Sequence, residues 1–285
     1  MEETGKAKNE RFITVAEIAD ALEEIAPAVL QESWDNSGLL IGFESEPVIK
    51  AVTCLDADEE VADEAIKHGA GMIISHHPLI FGDIRSIKDS SYSGRLIFKL
   101  IENRISVYSC HTPFDKVKGG NNDMLAELLE LSSVKNLNGK DISSPAKMAS
   151  AMDDGDIGRI GKLRKPMRYM EFIGYAAERL DMSLRELKAV GDMDTDISRV
   201  GICTGAGADF IKMAADAGCQ VMITGDVRYH QARAAAENGI CLLDAGHYGT
   251  EKFFAGNMKM KLEKKLGEKV DIMESSVCPD PFKVM

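Results

Sequence analysis

Lys67-His68-Gly69-Ala70-Gly71-Met72-Ile73-Ile74-Ser75-His76-His77 is the stretch that decides the fold. A helix end closed by glycine leads into a short apolar run, a hydroxyl residue, two histidines and then Pro78. A strand apolar on both faces belongs in a sheet covered by helices, and α/β sheets gather their ligands beyond the carboxyl ends of the strands. The same order recurs at Asp216-Ala217-Gly218-Cys219-Gln220-Val221-Met222-Ile223-Thr224-Gly225-Asp226. A second echo links Asn103-Arg-Ile-Ser-Val-Tyr-Ser-Cys-His111 with Asn238-Gly-Ile-Cys-Leu-Leu-Asp-Ala-Gly-His247. Two echoes in one order predict a pseudo-duplicated pair of α/β units whose polar strand tips meet around one cleft.

Working outward, apolar runs predict strands at 49–55, 71–75 and 105–110, alternating with helices at 59–68, 94–103 and 121–131. Thr14 and Glu17 form a capping-box pattern that opens an amphipathic helix over 14–26, stopped by Pro27. Residues 132–168 turn to Ser, Gly, Asp and Lys, which predicts a domain boundary or a long surface excursion. Order resumes with helices at 169–181, 208–217 and 231–237, and strands at 187–190, 199–204, 220–224 and 240–244. A terminal helix is expected from about 250 to 266, then a last strand at 270–274. The expected domains are 1–131 with 246–285, carrying most of the candidate ligands, and 132–245.

Composition narrows the function. The 285 residues are 45% apolar, enough for a substantial core, and the net charge of −12 repels nucleic-acid backbones and anionic lipid. The basic stretch 159–168 is too short to reverse that, so a nucleic-acid role is not expected. No apolar run reaches membrane-spanning length, and Met1 to Arg11 is polar and mixed in charge rather than a signal peptide; a soluble, cytoplasmic protein is expected. Six cysteines without any C-x-x-C pair read as reduced core thiols.

Five of the six histidines fall in four short segments: Ser75-His76-His77-Pro78, His111-Thr-Pro-Phe-Asp115, Asp226-Val-Arg-Tyr-His230 and His247-Tyr-Gly-Thr-Glu251. Imidazole with carboxylate is the ligand set of Zn, Fe, Mn, Co or Ni, and a mixture rich in both suits a two-metal site. His76 and His77 diverge as neighbours, so each can serve one of two ions; the alternative is one core and one solvated histidine. Asp115 reads as a ligand on a loop turned into the cleft, and His111 as a support to a ligand or a proton carrier; either could instead cap the following helix. His247 and Glu251 stand four apart and share a helix face if the helix has begun by Tyr248, although alone they also fit an ordinary helix start. Asp226 and His230 follow the strand equivalent to that of His76 and are read as acid/base or substrate contacts, with a structural role for His230 equally open.

Together with Trp34-Asp35-Asn36-Ser37-Gly38-Leu39, Gly158-Arg-Ile-Gly161, Thr224-Gly-Asp226 and Gly246, these segments resemble, over nearly the whole chain, the GTP cyclohydrolase 1 type 2 homologs. That family is also called NGG-interacting-factor-like or dinuclear-metal-centre hexameric proteins. The resemblance implies two interleaved α/β domains and a homohexameric toroid. It also implies two divalent ions per subunit on His76, His77, Asp115, His247 and Glu251, with Glu251 between them. It further implies a metal-dependent hydrolase of nucleotide-like or phosphorylated small molecules, with His111, Asp226 or His230 moving protons. No G-x-x-x-x-G-K-[ST] phosphate loop accompanies it. A metal-binding regulatory or partner-binding scaffold without turnover is the competing reading, and a nuclease or phosphodiesterase fits the metals but not the acidic surface.

Overall fold

The computed structural model describes residues 12–143 and 156–283; Met1 to Arg11 and the middle of the expected excursion lie outside the described residues. The first half runs α1 (Val15–Ile25), β1 (Gly38–Ile41), β2 (Lys50–Cys54), α2 (Glu59–His68), β3 (Met72–Ser75), α3 (Tyr92–Glu102), β4 (Ser106–Ser109), α4 (Thr112–Lys116), α5 (Asn121–Leu128) and β5 (Ser132–Asn136). After β6 (Arg159–Arg168) the second half repeats that order: α6 (Tyr169–Arg179), β7 (Lys188–Val190), β8 (Asp196–Ile202), α7 (Ile211–Asp216), β9 (Val221–Thr224), α8 (Tyr229–Glu237), β10 (Cys241–Asp244), α9 (His247–Glu251), α10 (Phe254–Leu266) and β11 (Asp271–Glu274).

Local signals act where the sequence places them. Thr14 and Glu17 make the reciprocal capping bonds of α1, and the Asp58 side chain accepts from Val61 N–H at 2.8 Å to open α2. Gly69, at φ +66°, ends α2 in the left-handed conformation that only glycine adopts cheaply.

Two sheets form, ordered β1-β4-β3-β2-β11 and β5-β6-β8-β9-β10-β7. In each, three parallel strands (β2, β3, β4 and β8, β9, β10) carry an antiparallel edge strand, β1 or β7, on the third. The halves then exchange their ends. β5 joins the second sheet beside β6, and β11 returns to the first beside β2. The helices cross likewise. Phe254, Met258 and Leu262 of α10 bury against Ile18 and Leu22 of α1, whereas Leu125 and Ala126 of α5 bury against Phe172 of α6 and Val200 of β8. The apolar face of each closing helix therefore packs into the other half's core, which makes the halves mutually dependent.

Three expectations need correction. Residues 132–136 and 159–168 are strands of the second sheet, not a surface excursion: Ile160 and Leu163 are buried, and the alternation that marks β6 hides among its lysines and arginines. The expected terminal helix is two, α9 and α10, separated at Lys252 and Phe253. The strand β1 was not foreseen, since Gly38–Ile41 is a short edge strand next to the turn residues of the Trp34 segment.

Arg159 ties the halves together from a fully buried position. Its Nε pairs with Asp123 of α5, Nη1 donates to the Asp156 and Gly158 carbonyls at 2.8 and 3.0 Å, and Nη2 donates to Lys116 O at the end of α4 at 2.6 Å. Arg159→Leu should therefore cost about 3–5 kcal/mol in urea unfolding, because it strands a carboxylate and several carbonyls in the interior. A loss below about 1 kcal/mol would mean water replaces the guanidinium.

Candidate metal centre

The carboxyl ends of β3, β4 and β10 deliver the cluster. His76 and His77 follow β3; His111 precedes α4, which carries Asp115; His247 and Glu251 open and close α9. Asp115 thus sits in a short helix rather than on a loop, presented by Pro113 within its first turn. By chain order α4 and α9 are equivalent, so His111 with Asp115 and His247 with Glu251 are one pattern used twice.

Every one of these rings is held by Nδ1. His76 donates to Cys110 O at 2.8 Å, His77 to Asp56 at 2.7 Å, His111 to Asp35 at 2.8 Å and His247 to Asp226 at 2.8 Å. Carbonyl and carboxylate oxygens only accept, so Nδ1 carries a proton in each ring, and Nε2 is the nitrogen left to hold a cation or a second proton.

Those Nε2 atoms converge on acceptors. His77 and His247 Nε2 lie 3.0 and 3.1 Å from Glu251 Oε2 and 3.2 Å from each other. His76 Nε2 lies 3.5 Å from Glu251 Oε1 and 3.7 Å from Asp115 Oδ1. A ring nitrogen of His111 completes a third group with His76 and His77, all within 4.8 Å of one another. Around a tetrahedral ion with bonds of roughly 2.1 Å, ligand atoms sit about 3.4 Å apart, which is the spacing seen. Asn121 supplies an amide donor, with Nδ2 on His76 and Asp115 at 3.2 and 2.9 Å, and its buried Oδ1 finds no partner among the described residues. A nest of acceptors with an orphaned oxygen beside it fits a divalent cation.

Without a cation, protons fill that role. Burial opposes charge on His77, but the Asp56 and Glu251 carboxylates outweigh it and raise the ring to about 10; Glu251 and Asp226 do the same for His247, to about 9. His76 is raised too, against its burial, by Asp115 and Glu251. Burial also works against ionised Glu251, yet the surrounding histidines hold it well below the usual carboxylate range. Asp115 moves upward, through burial and the nearby Glu251 charge. Asp35 is lowered to about 2: the bonds from His111, Thr112 and the Asn36 N–H overcome its desolvation.

Glycines let the backbone approach. A Cβ on Gly225, the counterpart of His76, would lie 2.6 Å from His247 N, so the second half has no room for a histidine there. One on Gly205 would meet Glu251 Oε1 at 2.5 Å.

His76, His77, His111, Asp115, His247 and Glu251 are thus brought together. Asp226 reaches the cluster through the His247 ring rather than facing it. His230 is left apart: it is exposed on α8, its ring edge-on to Tyr229 at 5.4 Å. The orienting Asp35 and Asp56, and Asn121, escaped the sequence reading; Asp56 follows β2 as the histidines follow β3, so its place just beyond a strand's carboxyl end was the one signal available.

The cluster opens into a cavity of about 790 Å³ lined by Trp34, Phe81, Phe210 and Met213. A second cavity, of about 500 Å³, reaches His77 and His247 from the side of Arg185 and Phe282.

The pattern of the Duf34/NIF3 (NGG1p interacting factor 3) family matches residues 13–281. A Clostridium acetobutylicum protein named GTP cyclohydrolase 1 type 2 homolog is 36% identical over 274 residues, covering 95% of this chain and 98% of its own. NIF3-like protein 1 of Drosophila melanogaster is 32% identical, covering 94% and 88%. Among solved structures, a Bacillus cereus protein related to NIF3 superposes with a TM-score of 0.86 at 26% identity, covering 96% of this chain and all of the other.

Cations must displace the protons now on His77 and His247, groups raised to about 10 and 9. Adding Zn²⁺ or Mn²⁺ near neutral pH should therefore release protons to a pH indicator, and affinity should climb as pH rises toward 9. Asp226→Asn should weaken the metal by about 10–100-fold in competition with a chromophoric chelator, through loss of the His247 anchor. Unchanged affinity would show that the ring orients itself.

Proposed function

Because this chain belongs to the Duf34/NIF3 family, we propose that it is a metal-dependent hydrolase of a small molecule bound in the 790 Å³ cavity, with two divalent ions at its centre. The observation that carries the reading is Glu251: Oε2 lies against His77 and His247 while Oε1 lies toward His76, so one carboxylate serves two groups of donors. In this reading His77 and His247 would hold one ion and His76 and Asp115 the other, with Glu251 placed to serve both. When bound, a pair of divalent ions supplies Lewis-acid polarisation and a water acidified toward neutrality.

The protein's own groups do the rest. Asp56 and Asp226 keep the two exposed-side rings turned inward. His111, pinned through Nδ1 by Asp35, has one ring nitrogen free to receive a proton from the attacking water and return it to the leaving group. Asp226 is then an orienting group and His230 has no part.

The units proposed, 1–131 with 246–285 and 132–245, follow the two sheets, and the assembly proposed is a cytoplasmic homohexamer. Among the described residues no helix is long and apolar enough to cross a membrane.

Fully metal-loaded protein should hydrolyse at least one compound of a panel headed by GTP, whose name its relatives carry, and extending to nucleosides and phosphorylated metabolites. His77→Ala and Glu251→Gln should each lower turnover at least about 100-fold. No turnover by loaded protein on any member would sink the hydrolase and leave a metal-binding or partner-binding scaffold. Light scattering behind size exclusion tests the hexamer, and a monomer mass would refute it.

A further inference from the structure

The segment Trp34-Asp35-Asn36-Ser37 has structural duties for three of its four residues. Asp35 accepts from His111 Nδ1 and from Thr112 N–H and hydroxyl, Ser37 Oγ accepts from the His111 N–H at 3.2 Å, and Asn36 Nδ2 donates to Ile80 O at 2.7 Å. Trp34 has no such duty. It is 56% exposed, the sole tryptophan of the chain, and Asn36 holds its loop against the loop of Phe81, itself 63% exposed. The two rings stand 6.1 Å apart at 44°, each edge-on to His111, at 5.8 and 6.4 Å. Both line the cavity that His77, His247 and Glu251 also line. Two large apolar rings left in water, anchored by a buried network, cost solubility unless something covers them.

Charge narrows what covers them. Glu32, Asp115, Asp209 and Glu251 line the same cavity, and among the described residues no lysine or arginine does. Lys116, buried beside it, is already paired with Glu32 at 2.6 Å. A phosphate chain would find four carboxylates and no lysine or arginine among the described lining residues, so the ions would be left to hold it.

We propose that Trp34 and Phe81 form a stacking subsite for a planar heteroaromatic ring of nucleobase size, whose reacting edge faces the metal centre, and that the site takes a nucleoside-like compound in preference to a nucleoside triphosphate. This rests on the reading of the cluster as a reaction centre. A flat π-face satisfies exposed aromatics without needing charge, and base–aromatic stacking is sequence-tolerant and strong enough to position a ligand.

The lone tryptophan reports on the subsite directly. Protein carrying its metal is titrated with guanosine, GTP and ribose 5-phosphate while Trp34 emission is followed. Guanosine should quench it saturably, ribose 5-phosphate should not, and GTP should bind no more tightly than guanosine. By calorimetry, Trp34→Ala and Phe81→Ala should each weaken guanosine at least about fivefold, and Trp34→Phe should retain most of the affinity. Both side chains are exposed, so the variants should fold, and elemental analysis should find their metal unchanged. That separates failure of the subsite from failure of the metal centre, which would appear as lost metal or absent turnover in the parent protein. The proposal falls if guanosine leaves the emission unaltered, if ribose 5-phosphate matches it, if Trp34→Ala binds normally, or if GTP binds tenfold more tightly. An emission shift on dilution alone, without ligand, would assign the rings to contact between copies and overturn it too.

Discussion

Three imidazole nitrogens and two carboxylates face one another in the interior with one amide and the Thr204 hydroxyl among them to donate, and the rest of the molecule is arranged around that fact. Acceptors at 3.0–3.7 Å repel unless something positive lies between them. Each ring could escape by rotating, but its Nδ1 is fastened to a carbonyl or carboxylate outside the cluster. Protons relieve the repulsion in part, which is why His77 and His247 hold theirs so firmly. A divalent cation relieves it better, because one ion accepts several lone pairs at once and a proton at most two.

The fold provides this convergence by exchange. Each half builds a three-stranded parallel sheet, and each then sends its last two helices to work elsewhere. The short helix, α4 or α9, stops at the strand tips and offers a histidine and a carboxylate four residues on. The longer one, α5 or α10, continues into the other half's core. Candidate ligands from both halves therefore meet where the chain passes between sheets, and neither half can move without dislodging the apolar face of the other's helix. The duplication is not kept at the centre itself: Gly225 replaces His76 because backbone at 2.6 Å leaves no space, and Asp226, in the place of His77, turns to orient a ring. Two equivalent tips have diverged into a pair of histidines facing the cluster and a carboxylate that orients one of its rings.

Much of this was legible along the chain. Apolar runs ending in polar tips gave the strands β2, β3, β4, β8, β9 and β10, because burial on both faces leaves a compositional mark that survives without context. The Thr14–Glu17 cap and Gly69 fixed helix ends through local bonds alone. The strands β5 and β6 were illegible for the opposite reason. Their partners lie in another part of the chain, and half of β6 faces water with lysine and arginine, so its composition resembles a loop.

Residue type and spacing by themselves settled that the chain is α/β, internally repeated, and equipped with metal-seeking side chains at strand ends, since those properties are carried by short-range pattern. The tertiary structure alone decided which of the histidines meet. His247, read as a ligand, and His230, read as an acid/base or substrate contact, both follow strand tips in the sequence, yet one ring lies beside Glu251 and the other is exposed on α8. It alone also revealed Asp35, Asp56 and Asn121, whose importance is a matter of distance to partners 21 to 76 residues away or across a helix start. A carboxylate that positions a ring looks like any other acidic residue until the packing of sheets and helices brings the ring to it.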